Sequence, residues 1–163
     1  MSNQQPIAEA WDIWWRGSGE SGLPVSGGPQ DPALEAFWRG VFEANLPERG
    51  EQRLLDIGCG AGAVTGFARQ VADEAGTTLA ATCLDAAPWA LGHVKEKHPD
   101  VITVEASAAD LPLGDASFDL VCSQFGLEYA GLDAINEACR VVAAGGTLAL
   151  VAHLRGGDRK SVV

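Results

Sequence analysis

The sequence predicts an α/β fold with a doubly wound parallel sheet, and two observations support this prediction. Short apolar runs alternate with helical patterns between residues 53 and 153, an order typical of parallel strands joined by crossover helices. Residues 54–62 read LLDIGCGAG, which is an apolar run, an acid and then three glycines at alternate positions. A strand, a glycine turn and a helix in succession are how an open α/β sheet holds a nucleotide-like ligand at the carboxyl end of a strand.

The N-terminal part of the chain predicts two helices separated by a break. Three aromatic residues fall at i, i+3 and i+4 within residues 7–16 and share one helical face: Trp11, Trp14 and Trp15. Residues 17–32 are rich in glycine, serine and proline, a composition that interrupts regular structure. Asp31 then serves as an N-cap with Pro32 at the first helical position, and this second helix ends at Leu46.

The remainder of the chain predicts the sheet itself. Its five strands cover residues 53–57, 78–84, 101–105, 118–123 and 147–153. The first crossover helix ends at Gly76, and further helices cover residues 88–97 and 132–142. Residues 106–116 predict a loop with a short helix, and residues 143–146 predict a turn.

Composition and charge limit the partners that the chain can take. A length of 163 residues with 47% hydrophobic and 20% charged residues is ordinary for a globular domain with a full core. We expect a helical, tryptophan-rich cap and linker over residues 1–49 and a ligand-binding domain over residues 50–163. The net charge of −11 predicts no nucleic acid and no anionic membrane as partner.

The termini and the cysteines indicate a cytoplasmic protein without a metal site. The N-terminal residues have neither the basic nor the apolar region of a signal peptide, and no apolar run approaches membrane-spanning length. The four cysteines lack CxxC spacing, so we interpret them as small, reduced core residues rather than zinc ligands.

Polar residues follow the predicted strands at the edge where such sheets bind ligands. Asp56 ends the first strand, Asp85 follows the second, Asp110 comes after the third and Gln124 follows the fourth. Because the carboxyl ends of parallel strands meet at one edge of the sheet, the three carboxylates are expected to ring one crevice. Each acid could instead cap a helix or stabilise a turn, which is the simpler structural interpretation.

Two cofactors compete for this crevice. Gly58-x-Gly60-x-x-Ala63 satisfies the dinucleotide pattern GxGxxG/A, and Asp85 could hold a ribose of either cofactor. Asp56 favours S-adenosylmethionine, because a carboxylate two residues before the first glycine would repel a pyrophosphate and attract an ammonium and a sulfonium.

The motif Asp56-x-Gly58-x-Gly60-x-Gly62 resembles the first motif of the class I S-adenosylmethionine-dependent methyltransferases. Within that family, the chain is similar to the UbiE-like small-molecule methyltransferases (methyltransferase type 11) over about residues 50–153. The resemblance implies a Rossmann-like sheet, with the cofactor's methionine and adenosine lying against the glycines. Asp56 would then lie near the methionine ammonium, and Cys59 belongs to the same predicted binding loop.

The resemblance also assigns the ribose and the adenine to particular residues. Asp85 would hold both ribose hydroxyls, with Ala86 beside it. Ala109 and Asp110 would frame the adenine edge, where Asp110 accepts a hydrogen bond from the exocyclic amine, and Leu111 completes this group.

The methyl-transfer end of the crevice is predicted after the fourth and fifth strands. By the resemblance, Gln124 and Phe125 lie beneath the methionine and the sulfur. A general base is required only if the acceptor must lose a proton, and the candidates are Glu128, Tyr129 and His153. The tryptophan segment could fold over the cofactor as a lid, or simply pack against the edge of the sheet.

The chain departs from the family pattern after its fifth strand. The family sheet ends in an antiparallel pair, whereas no helix and no hairpin is expected in residues 154–163. The sheet is therefore expected to be truncated after the fifth strand, whose edge would be uncovered and could form a homo-oligomer.

Three functions remain open at this point. The first is methyl transfer from S-adenosylmethionine to a small-molecule acceptor, whose accepting atom the sequence does not identify. The second is a non-catalytic module that binds the same cofactor and acts through its exposed sheet edge. The third is an NAD-linked oxidoreductase, which NADH binding would distinguish.

Overall fold

The computed structural model describes residues 5–18, 31–46, 50–153 and 160–162. Its strands are β1 (Gly50–Ile57), β2 (Thr77–Asp85), β3 (Ile102–Glu105), β4 (Phe118–Gln124), β5 (Val142–His153) and β6 (Lys160–Val162). Its helices are α1 (Gln5–Ser18), α2 (Pro32–Asn45), α3 (Ala63–Ala75), α4 (Pro88–Lys97), α5 (Leu127–Ala130) and α6 (Leu132–Val141).

The strands form one sheet in the order β3-β2-β1-β4-β5-β6. The first five are parallel, which confirms the doubly wound α/β prediction. Strands β2 and β3 lie on one side of β1, whereas β4, β5 and β6 lie on the other. The direction in which the strands are added therefore reverses between β1 and β4. Such a reversal opens a crevice at the carboxyl ends of the two strands, which is the usual ligand position in an open α/β sheet.

Both faces of the sheet are covered because alternate residues of each strand point to opposite faces. Leu54 of β1 packs with α2, α3 and α4 in one hydrophobic cluster, whereas Leu55 and Ile57 pack with α6 in the other. Trp38 and Phe42 of α2 are fully buried in the first cluster. Helix α2 therefore shares the core of the sheet, although it precedes the predicted boundary at residue 50.

Most predicted elements are confirmed, with local differences. The helix over residues 88–97 has the predicted bounds, but α5 was not predicted and no helix forms over residues 106–116. The expected turn at residues 143–146 lies inside β5, where the pairing with β4 shifts register. Gly145 has a φ of +78° there, so the glycines form an irregularity in the strand rather than ending it. The predicted break falls mainly on residues 19–30, which lie outside the described residues.

The expectation of an uncovered fifth strand was wrong for its last three residues. Val151, Ala152 and His153 of β5 pair antiparallel with Lys160–Val162 of β6. A three-residue strand needs less chain than the family's antiparallel pair, and three residues are within the normal range for a strand.

Two further observations concern the cysteines and the helices. All four cysteines are free; Cys59, Cys83 and Cys122 are buried as core residues, whereas Cys139 is exposed on α6. No helix within the described ranges combines the length and the apolar character that a bilayer crossing requires.

Candidate functional site

The glycine loop after β1 is held in place by the end of β2. The backbone N–H groups of Gly58 and Cys59 both donate to the carbonyl oxygen of Leu84, at 2.8 and 3.1 Å. The N–H of Gly60 donates to Oδ2 of Asp85 at 2.9 Å. The loop is therefore pinned to the neighbouring strand through its backbone, without the need for its own side chains.

Glycine is required in this loop by both conformation and space. Gly58 has a φ of +65°, and a Cβ atom on it would lie 3.1 Å from the Cα of Gly126 in the loop after β4. A Cβ on Gly126 would in turn lie 3.2 Å from the Cα of Gly58. Backbone thus packs directly on backbone where the sheet order reverses, which a side chain on either residue would prevent.

Asp85 lies at the end of β2, as predicted, and is almost buried. Its Oδ1 accepts from the N–H of Ala87 and its Oδ2 accepts from the N–H of Gly60, both at 2.9 Å. Burial raises the pKa of this carboxyl, against the lowering effect of the backbone amides. An ionised carboxylate offers about four acceptor positions, so two amide bonds leave it able to accept from ligand hydroxyls.

Asp56 lies beneath the glycine loop, with an exposed fraction of 1%. Its Oδ2 accepts from the N–H of Thr65 at 3.2 Å and from the Thr65 hydroxyl at 2.8 Å. Asp56 therefore caps the first turn of α3, the structural alternative left open by the sequence. Oδ1 has no hydrogen-bond partner within the described part of the chain, and contact of Asp56 with a cofactor stays a prediction.

The electrostatic state of Asp56 follows from this burial. Loss of solvent raises the pKa of its carboxyl to about 6, even though the Thr65 hydrogen bonds lower it. The argument against a pyrophosphate is thereby weakened, because a carboxyl with a pKa of about 6 is partly protonated near neutral pH and repels an anion less.

The loop between β3 and β4 carries the predicted adenine residues and is held by α6. Asp110 is exposed, whereas Leu111 is buried and donates its N–H to Oε2 of Glu137 at 2.8 Å. The Arg140 guanidinium donates to the carbonyl oxygen of Leu111 at 3.1 Å and also to Glu137. The bond from Arg140 and the Leu111 amide lower the pKa of Glu137 to about 2. Ala109 completes the loop, and its N–H donates to the Ser107 hydroxyl at 3.2 Å.

The residues at the end of β4 are held by hydrogen bonds to α2 and β5. The Trp38 indole N–H donates to Oε1 of Gln124 at 2.7 Å, so α2 positions this side chain. Phe125 has a φ of +56°, unusual for a residue with a side chain, and its N–H donates to the Val151 carbonyl at 2.8 Å. Such backbone strain often accompanies a functional site.

The three candidate bases form one cluster. Oε1 of Glu128 accepts from the backbone N–H of His153 at 3.1 Å and lies 3.0 Å from Nδ1 of the same residue. The Tyr129 hydroxyl lies 3.4 Å from Nδ1, and the Phe125 ring stacks on the imidazole with centroids 4.2 Å apart. The structure thus brings Glu128, Tyr129 and His153 together beside Phe125.

Helix α1 covers the crevice, an arrangement that the tryptophan pattern only partly predicted. The ring of Trp11 meets Tyr129 edge to face at 5.2 Å, and Trp15 lies on Gly60. Oδ1 of Asp12 accepts from the N–H of Trp89 at 3.0 Å and so caps the first turn of α4. Nothing in the sequence around Asp12 indicated this role, because its partner lies 77 positions away. Ala86, beside Asp85, is half-buried.

Other buried polar atoms were also missed by sequence reasoning. The Ser123 hydroxyl, one residue before Gln124, is buried and has no hydrogen-bond partner within the described ranges. No group of three or more histidine, cysteine, aspartate or glutamate side chains in those ranges is arranged to hold a metal ion.

The sheet order, the glycine loop and the acid after β2 together define a Rossmann-like class I methyltransferase fold. Residues 55–150 match the family described as the methyltransferase domain, and the chain belongs to that family. An uncharacterized methyltransferase of Synechocystis sp. is 38% identical over 104 residues, covering 61% of this chain and 46% of its own length. The chain spans less than half the length of the curated relatives it matches.

Two solved structures illustrate the similarity in fold. An S-adenosylmethionine-dependent methyltransferase from Mesorhizobium loti has a TM-score of 0.58 and 24% identity, over 77% of this chain and 54% of that one. Phosphoethanolamine N-methyltransferase 1 of Haemonchus contortus, in complex with phosphoethanolamine and S-adenosylhomocysteine, has a TM-score of 0.63 and 19% identity, over 93% of this chain and 33% of that one.

We predict that Gly58→Ala will destabilise the protein. A non-glycine residue at positive φ costs about 1–2 kcal/mol, and the Cβ would press on the backbone of Gly126. The matched control is Gly92→Ala in α4, where a Cβ meets nothing within 4 Å and the change should stabilise by about 0.5–1 kcal/mol. Urea unfolding of both variants checks the prediction, and stabilisation by both would contradict it.

We predict that Asp56 makes stability fall as the pH rises. Because its folded pKa of about 6 exceeds the ordinary aspartate value of 3.8, the folded state binds more protons between these values, and the resulting stability is lost as the pH rises through 6. Between pH 5 and pH 8, wild type should therefore lose on the order of 1 kcal/mol more than Asp56→Asn. Urea unfolding at both pH values measures this difference, and equal pH dependence would contradict the assigned pKa.

Proposed function

We propose that the chain is the cofactor-binding domain of an S-adenosylmethionine-dependent methyltransferase that acts on a small molecule. The observation that carries the proposal is the glycine loop pinned to Asp85 where the sheet order reverses, since this loop brings bare backbone and a hydrogen-bonding acid to one crevice. Family membership and a structural neighbour that holds S-adenosylhomocysteine support the same cofactor.

The residues of the crevice fit the polar groups of this cofactor. Asp85 retains acceptor positions for the ribose hydroxyls after its bonds to Gly60 and Ala87. The unpartnered Asp56 Oδ1 and Ser123 hydroxyl are buried near the ends of β1 and β4, where they offer polar atoms for a ligand or for bridging water. When bound, S-adenosylmethionine supplies a methyl group that its sulfonium has already activated.

We also propose His153 as the group that accepts a proton from the acceptor. The tautomer that donates Nδ1–H to Glu128 leaves the lone pair on Nε2, so Glu128 acts as a positioning residue. Burial and the charge of Glu128 raise the pKa of Tyr129, and its phenol therefore stays protonated at neutral pH. The stacked Phe125 ring fixes the plane of the imidazole.

The partners of the chain remain proposals. A net charge of −11 supports a small-molecule acceptor over a nucleic acid or an anionic membrane surface, and cytoplasmic location is proposed on the sequence features alone. Self-association through β5 would use residues before Val151, because β6 pairs with the last three. The non-catalytic module and the NAD-linked oxidoreductase are alternatives that the following experiments distinguish.

We predict that the chain binds S-adenosylmethionine and not NADH. Loss of a hydrogen bond to a charged group costs about 1.5–3 kcal/mol, so Asp85→Asn should weaken binding by about tenfold to a hundredfold. Asp73→Asn, an exposed acid near the far end of α3, is the matched control and should bind like wild type. Calorimetric titrations measure all three proteins, and binding of NADH alone or an unchanged affinity of Asp85→Asn would contradict the assignment.

We predict that His153→Ala slows methyl transfer without weakening cofactor binding. General base catalysis contributes about 10²–10⁴-fold, so release of S-adenosylhomocysteine with a hydroxyl acceptor found by screening should fall by that range. Glu128→Gln should cause a smaller loss, and Glu96→Gln on the exposed face of α4 should cause none. If His153→Ala transfers the methyl group at the wild-type rate, His153 is not the general base. If the wild type turns over no acceptor, the non-catalytic module is favoured.

A further inference from the structure

The three loops that border the crevice are bridged by helix α1. Trp15 contacts the glycine loop after β1, Asp12 caps α4 after β2, and Trp11 meets Tyr129 of α5 after β4. These three residues lie on one side of the helix, since they are spaced at i, i+1 and i+4. Helix α1 is therefore a strap across the carboxyl edge of the sheet, with its aromatic side turned to the crevice.

The ring of Trp15 occupies the space above Gly60. A Cβ atom on Gly60 would lie 2.2 Å from Cζ2 and 2.5 Å from Cη2 of that ring. These distances are far below van der Waals contact, so the ring lies directly on the bare Cα of the middle glycine. Gly60 has no side chain, which leaves an opening that a cofactor would need. The Trp15 ring fills this opening.

We propose that Trp15 is an internal plug of the cofactor site, and that S-adenosylmethionine binds by displacing it. This inference rests on the proposed function, because it takes the surface of Gly60 as part of the cofactor site. Trp15 and the cofactor cannot both lie against the same Cα, so the plugged and the loaded forms exclude each other.

The contacts that hold α1 are suited to reversible release. Helix α1 packs mainly on α4, and its polar anchor is the exchangeable bond between Asp12 and the Trp89 amide. Oδ2 of Asp12 also accepts from Nε of Arg16 at 2.7 Å within α1 itself, and the Arg16 side chain is 63% exposed. An element with few buried contacts opens at low free energy, so the strap can lift while the sheet stays folded.

A plug lowers the apparent affinity in a predictable way. If the open form makes up about 10% of the ligand-free protein, the apparent Kd is raised about tenfold over that of the open form. Removal of the Trp15 ring should therefore lower the apparent Kd by this factor. Removal of a residue that lines the bound cofactor should instead weaken binding. The sign of the change in affinity therefore distinguishes a plug from a wall of the site.

The experiment is a calorimetric titration of Trp15→Ala with S-adenosylhomocysteine, the chemically stable form of the cofactor. We expect Trp15→Ala to bind about three- to tenfold more tightly than wild type. Asp12→Asn keeps the ring but weakens the anchor, and should change affinity in the same direction by a smaller factor. Ile13→Ala, at a side chain that is 70% exposed on the same helix, is the matched control and should bind like wild type.

The outcomes separate this inference from the proposed function. Tighter binding by Trp15→Ala, or binding by this variant alone, supports the plug. Weaker or unchanged binding by Trp15→Ala, with wild type still binding, overturns the plug and leaves the cofactor assignment intact. No binding by either protein, when both are folded by circular dichroism, overturns both.

A second measurement observes the plug directly. Labelling the five tryptophans with 5-fluorotryptophan gives up to five ¹⁹F resonances, and Trp15→Phe identifies the one from residue 15. Saturation with S-adenosylhomocysteine should move this resonance and increase its solvent isotope shift, because the ring leaves Gly60 for water. An unmoved resonance in the saturated protein would overturn the plug.

Discussion

The backbone hydrogen bonds between the glycine loop and the end of β2 are the constraint on which the site depends. Leu84 accepts two amide bonds through its carbonyl and Asp85 accepts a third through its carboxylate, so the loop is bound to the neighbouring strand without side chains of its own. This leaves Gly58 free to pack on Gly126, which joins the two strands beside the reversal of sheet order. Displacement of the loop would therefore alter the crevice on both sides.

The two acids at the crevice show how one chemical group takes different roles in different surroundings. Both are buried, and burial raises the pKa of both carboxyls. Asp56 caps the first turn of α3. A carboxylate there accepts from backbone amides that have no partner within the helix, and its negative charge interacts favourably with the helix dipole. Asp85 lies between two loops and accepts one amide from each, so it can respond to a ligand that binds there.

The opposite side of the crevice is built from aromatic rings rather than backbone. Phe125 adopts a left-handed conformation and stacks on His153, while Tyr129 is covered by Trp11 from α1. The strain at Phe125 is held by its amide bond to Val151 of β5. The aromatic cluster after β4 and the strap therefore share the contact between Tyr129 and Trp11, so movement of α1 would change the surroundings of this cluster.

Sequence periodicity predicted the five parallel strands, every helix except α5, the glycine turn and the position of Asp85, because these features depend on local spacing and on the rules of parallel sheets. It did not determine that Asp56 caps α3 or that Asp12 caps α4, nor that Trp38 holds Gln124 and Trp15 covers Gly60. Strand β6 was missed because three residues are too few to show a periodicity, and only their pairing with residues 151–153 makes them a strand. Each of these contacts joins residues that lie apart in the chain, and only the packing of the whole fold decides which side chains meet.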